Sequence, residues 1–134
     1  EHRYESYVRW AASVPEHFRF SVKLSSYFTQ EHELRETGDT LRETLHGISG
    51  LGEKWSVLLV QLPPKLVFNA RVAARFMDRL REEYDGFIVW EPRHLTWSKP
   101  EALRLMKTYS IAKVYADPDK CPVFEDVYEG SSIK

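Results

Sequence analysis

The sequence predicts an α/β fold in which about four parallel strands alternate with helices. Two observations carry this expectation. Four segments have the alternation or the apolar density of β-strands, and stretches with helical periodicity separate them. Such alternation buries a sheet beneath its crossover helices, and these crossovers are right-handed. Strand starts near residues 18, 55, 87 and 111 give irregular repeats, compatible with an open sheet or a closed barrel.

Before the first strand, Tyr4, Tyr7, Val8, Ala11 and Ala12 stand at helical spacing. Residues 18–24 then alternate, with Phe18, Phe20, Val22 and Leu24 on one side and Arg19, Ser21 and Lys23 on the other. A long connection leads to a helix over residues 40–50, where Leu41, Leu45 and Ile48 share a face. Thr40 and Glu43 have capping-box spacing, and Gly50 or Gly52 supplies a stop. Residues 55–64 are nearly all apolar, as in a strand covered on both faces, and Pro63 and Pro64 end them. Residues 68–84 carry the clearest helix, with Val72, Phe76 and Leu80 on one stripe and Ala73, Met77 and Tyr84 beside it. The third strand occupies residues 86–93. Ser98 and Glu101 form a second capping box for a short helix over residues 100–109. The fourth strand ends at Asp117 and Pro118, and residues 119–134 read as a tail or connection within a single domain of residues 1–134.

A chain of 134 residues, 43% hydrophobic and 29% charged, fits one folded domain with a sizeable core. Its net charge of -1 provides no global attraction to nucleic acid or anionic membrane, so such binding requires a local patch. No apolar run approaches the roughly 20 residues that span a bilayer, which argues against a membrane partner. The N-terminal stretch lacks a signal-type apolar segment and Cys121 is the only cysteine, so a cytoplasmic location is the expectation. Cys121 lies between two prolines with no nearby histidine to activate it, and reads as a loop residue.

One polar residue stands near the C-terminal end of each strand: Lys23, Gln61, Glu91 and Asp117. Traced back by twos, their face also carries Arg19 and Ser21, Val57 and Leu59, Phe87 and Val89, and Lys113 and Tyr115. If these positions share a face, the polar groups ring the end of the sheet where α/β folds place their ligands. Glu91 follows Ile88, Val89 and Trp90, so it needs a partner once buried. Arg93, on the same side of an extended chain, is the nearest candidate. His94 can act as acid or base, and Trp97 can stack a ligand. The catalytic candidates are therefore Glu91 and His94, with Arg93 as anion clamp, Trp97 as stacking wall, and Lys23, Gln61 and Asp117 orienting a small polar or anionic ligand. Plainer readings stand beside these: strand ends emerge into water, an internal ion pair satisfies Glu91, and Trp97 covers a rim.

Sharper motifs are missing. Residues 50–54, GLGEK, lack the glycine spacing of a phosphate loop and precede a strand, so they read as a helix stop. The histidines show no zinc spacing; Glu91, His94 and Asp117 would together supply oxygen and imidazole ligands, but no metal site is expected, and the cofactor is unknown. Arg71, Arg75, Arg79 and Arg81 form a basic stripe diluted by Asp78, Glu82 and Glu83, which reads as a solvated face.

RWAASVPEHFRFSVKL, SGLGEKWSVLLVQLPP, and EPRHLTW followed by a strand ending in ADP resemble the YecE-like family, called domain of unknown function 72, across most of residues 7–118. The resemblance implies a TIM-barrel-like fold with Glu91, Arg93, His94 and Trp97 in the family signature. It implies no reaction. Family members resemble one another over roughly 230 to 250 residues, the size of a complete eight-stranded barrel. An early strand segment with Gly, Trp and Phe-Tyr-Arg motifs and a later part with Tyr and Arg-Leu-His-Gly segments lack counterparts here. The expectation is a partial barrel with two open sheet edges, paired with another copy as a homo-oligomer or shortened from a larger protein.

Two classes of function remain. One is an enzyme acting on a small polar or anionic substrate at the strand ends, which loses turnover on Glu91→Gln. The other is a binding module, with nucleic acid as one partner, using arginines and exposed aromatics such as Trp97, Tyr27 and Phe28; its binding falls steeply with salt.

Overall fold

The computed structural model describes residues 3–35 and 38–114. Its elements run α1 (Tyr4–Ala12), β1 (Phe20–Lys23), α2 (Gly38–Ile48), β2 (Trp55–Gln61), α3 (Ala70–Glu83), β3 (Phe87–Glu91), α4 (Pro100–Thr108) and β4 (Ile111–Lys113). The strands form one parallel sheet in sequential order β1-β2-β3-β4. A doubly wound sheet reverses its order at a switch point, whereas a (β/α) barrel adds each strand beside the last. The sheet is therefore an open run of barrel-type units.

One face of this sheet makes the core. Val22, Leu58, Ile88 and Ile111 stand in register across it, with Val60 and Trp90 in the next row. The helices close over them with Leu41 and Leu45 from α2, Phe76, Met77 and Leu80 from α3, and Ala102 and Met106 from α4. Each fully buried leucine or phenylalanine contributes about 1.5–3 kcal/mol through removal from water. The opposite face carries Val57 beside Phe87, and Leu59 beside Val89. Among the described residues no layer covers it, so Phe87 is 58% exposed. The double coverage expected of β2 is thus seen on one face only, because every crossover helix lies on the same side.

Strand four departs from the expected parity. Ala112 pairs with Val89 and Lys113 pairs with Trp90, so Lys113 belongs to the helix-covered face. It does not share the face of Gln61 and Glu91. A count by twos within one segment cannot detect a one-residue shift in pairing to the next strand. Asp117, Cys121 and the expected tail at 119–134 lie outside the described residues.

Several ends differ from their sequence signals. Helix α2 begins at Gly38, so Thr40 is already helical and its capping box is unused. Helix α4 begins with Pro100 after Lys99, and Ser98 instead closes a short 3-10 turn (Leu95–Ser98). Asn69 is a true cap for α3, its side-chain oxygen accepting from the Val72 amide at 3.1 Å. In the long connection, a single π-turn (Tyr27–Glu31) buries Phe28 and Thr29.

The GLGEK stretch is a stop and also a packing point. A β-carbon on Gly50 would come 2.5 Å from the Tyr4 carbonyl oxygen, so only glycine lets α1 sit this close. Gly52 takes φ +61° and turns the chain toward β2. Lys54 then reaches back, its Nζ donating to the Ala11 and Val14 carbonyls at 2.7 and 3.0 Å. A cation at a helix C-terminus satisfies free carbonyls and opposes the dipole.

The basic stripe of α3 also divides. Arg81, two residues past Arg79, turns inward and donates to the carbonyls of Tyr109, Tyr84, Gly86 and Ser110. It is a structural bridge and no part of a solvated face.

Candidate functional site

Gln61 and Glu91 end adjacent strands and are register partners, which sets their side chains side by side on the sheet's open face. The Leu62 amide donates to the Glu91 carbonyl at 2.9 Å, extending the pairing to the last residue of β3. Pro92 then ends the strand, as it has no amide to continue the ladder.

The Glu91 side chain is only 11% exposed and holds three hydrogen bonds on a single oxygen. Arg93 donates to Oε2 from Nε at 3.1 Å and from a terminal nitrogen at 2.7 Å, and Gln61 Nε2 donates to the same atom at 3.2 Å. These charge-assisted bonds fix the carboxylate. Burial without them would leave an uncompensated anion, a cost of several kcal/mol. Oε1 accepts no hydrogen bond among the described residues. The sequence-based pairing of Glu91 with Arg93 is present as an ion pair, and Gln61 joins it.

His94 is oriented by a relay that its sequence position alone did not disclose. The Phe68 amide donates to the Thr96 hydroxyl oxygen at 2.7 Å, and that oxygen lies 3.0 Å from His94 Nδ1. The Thr96 amide also donates to Nδ1 at 3.2 Å. An amide that donates to Nδ1 selects the tautomer with its hydrogen on Nε2. Thr96 is a positioning residue that the sequence reading missed. Its only signal is the spacing of two from His94, typical of a polar cap on a short turn.

The remaining predicted residues divide. Lys23 is exposed on the open face, in the row of Leu59 and Val89. Trp97 does not serve as a stacking wall. It is 1% exposed, its indole N–H donates to the Leu66 carbonyl at 2.9 Å, and its ring packs against Phe68 and Trp90. The 3-10 turn after His94 swings it beneath the sheet into the helix-side core. Phe28 is likewise fully buried, so neither aromatic is available to stack bases, contrary to the expectation for a nucleic-acid module. Asp117 lies outside the described residues.

A family profile described as "Protein of unknown function DUF72" matches residues 2–131. Among solved structures, the chain is similar to a DUF72 family protein from Thermotoga maritima, at TM-score 0.70 and 23% identity, over 90% of this chain and 49% of that one. It is also similar to a DUF72 family protein from Enterococcus faecalis, at TM-score 0.65 and 21% identity, over 91% of this chain and 55% of that one. The chain therefore spans about half the length of these structures, and the likeness shows a shared fold. Comparison with curated proteins gives no match.

Proposed function

Because the chain belongs to the DUF72 family, whose name supplies no reaction, we propose from the site alone that it carries a small-molecule site of enzymatic type at the C-terminal ends of β2 and β3. The observation that carries this reading is the Glu91 carboxylate, buried at a strand end with all its bonds on Oε2 and Oε1 left over. A purely structural ion pair gains most when both oxygens are satisfied. A carboxylate held by one oxygen keeps the other as a base or acceptor for a ligand hydroxyl or amine. Arg93, half-buried, serves as anion clamp, and His94, held at Nδ1 by the Thr96 amide, is the acid or base beside it. Gln61 positions Glu91, and Lys23 lies on the same face where it draws an anionic substrate.

The test is a thermal-shift and turnover screen of small phosphorylated, carboxylated and sugar compounds on the chain and on Glu91→Gln. Any turnover is expected to fall about 10²–10⁴-fold in the variant, the usual loss for a general base, with the circular dichroism spectrum retained. Hits that Glu91→Gln leaves unchanged would overturn the proposal.

The proposal extends to a second copy of the chain as partner. The open face exposes Phe87 with Val57, Leu59 and Val89 behind it, and the outer edges of β1 and β4 are unpaired among the described residues. Sedimentation equilibrium is expected to show a dimer; a folded, strictly monomeric species would rule it out.

A further inference from the structure

A second cluster lies away from the strand ends, on the outer helical layer. Arg71, Arg75 and Arg79 recur every four residues along α3, about 6 Å apart on one side of the helix. They line a cleft of about 490 Å³, facing Arg35 and the first residue of α2, Gly38. Phe76 forms part of its floor. The volume falls in the range of small-molecule sites, about 300–1,000 Å³.

Among the described residues the charges of this cleft are not compensated by ion pairs. None of the four guanidinium groups has, among the described residues, a carboxylate within ion-pair distance; the ion pairs there join Arg42 to Asp39 and Glu83, and Arg93 to Glu91. Asp78 and Glu82 share the face of α3 but make no such contact. Like charges four residues apart on a helix repel. Arg79 adds to this, since its guanidinium lies 3.8 Å from where a β-carbon of Gly38 would stand, beside the positive end of the α2 dipole. Four arginines around one concavity, without an ion pair among the described residues and in a chain of net charge -1, form a local potential that the whole molecule lacks.

We infer that this cleft binds a small, multiply charged phosphate anion, through arginine forks closing on phosphate oxygens. Guanidinium matches phosphate in paired hydrogen bonds that an ammonium cannot reproduce. An apolar floor and a volume of this size suit a compact oligophosphate, free or as the head of a nucleotide. A long strand would need an open groove.

Isothermal titration with inorganic triphosphate, and separately with ATP, tests the assignment on the whole chain at about 0.15 M salt. Saturable one-to-one binding is expected. The exposed double variant Arg71→Gln/Arg75→Gln is expected to weaken it about tenfold or more, and Arg71→Lys/Arg75→Lys to recover only part of the loss. A charge-matched control, Arg9→Gln/Arg104→Gln, should change affinity less than about twofold. Equal affinity for both probes identifies oligophosphate as the recognised group, and tighter ATP binding identifies a nucleotide; either supports the site. No saturation at millimolar probe, equal weakening in the control pair, or binding only to oligonucleotides with affinity rising with length would each overturn it. The strand-end variant Glu91→Gln should leave this binding intact, which separates the two sites.

Discussion

Trp97→Ala is expected to destabilise the fold by about 3–5 kcal/mol. The indole is 1% exposed and wedged between Phe68 and Trp90, with ring centroids at 5.0 and 5.6 Å. Truncation removes the transfer free energy of a large aromatic, opens a cavity beside Trp90, and strands the Leu66 carbonyl that accepts the indole N–H at 2.9 Å. Against a total stability of about 5–15 kcal/mol for a domain, this loss approaches unfolding. Trp97→Phe keeps most of the packing and loses the hydrogen bond, so a smaller cost of about 1–2 kcal/mol is expected. Urea denaturation of both variants decides the matter. An alanine variant with an unmoved midpoint would mean that Trp97 is a ligand contact and no core residue.

Arg81→Met is the second large effect, expected to cost on the order of 3 kcal/mol. The substitution keeps an apolar stem and deletes four donations, at 2.7 to 3.2 Å, that tie the end of α3 to the start of β3 and to the α4–β4 corner. That corner is strained: Ser110, whose carbonyl Arg81 holds, has φ +56°. Burial lowers the Arg81 pKa from its usual value, opposed in part by the neighbouring Tyr84 and Asp85, and a guanidinium starts so high that it stays charged at physiological pH. Burial likewise raises the Tyr84 hydroxyl above its ordinary value, which keeps it neutral as it donates to the Ser56 carbonyl at 3.3 Å and stacks on Trp55. An ammonium lacks the fork to span three segments, so Arg81→Lys should not rescue the loss. Hydrogen exchange is expected to show faster opening at the starts of β3 and β4 in Arg81→Met. Unchanged exchange there, with an unchanged denaturation midpoint, would show that the bridge adds nothing.

Both residues show where sequence reading stops. Trp97 and Arg93 belong to one short polar stretch after β3, and sequence proximity grouped them. Arg93 stays on the open face, and the 3-10 turn that contains Trp97 carries its side chain into the core. Arg79 and Arg81 stood in one basic stripe, yet a difference of two residues on a helix is a turn of about 200°. One guanidinium faces a cleft and the other a set of buried carbonyls. The ion pair of Glu91 with Arg93 was legible because residues two apart in extended chain share a side, and that geometry needs no partner element.

Local patterning in the chain sets the type and order of the elements. Periods of two and of 3.6, and the glycines and prolines between them, are properties of the local backbone, so four strands and their helices were predictable from residues near each other in the chain. Tertiary structure alone decided which element lies beside which and which face is covered. The sequential strand order, the one-residue shift that turns Lys113 toward the helices, and the meeting of Arg35 with the α3 arginines all depend on pairing and packing between distant segments. Those contacts are settled by burial of the shared core, and no local pattern encodes them.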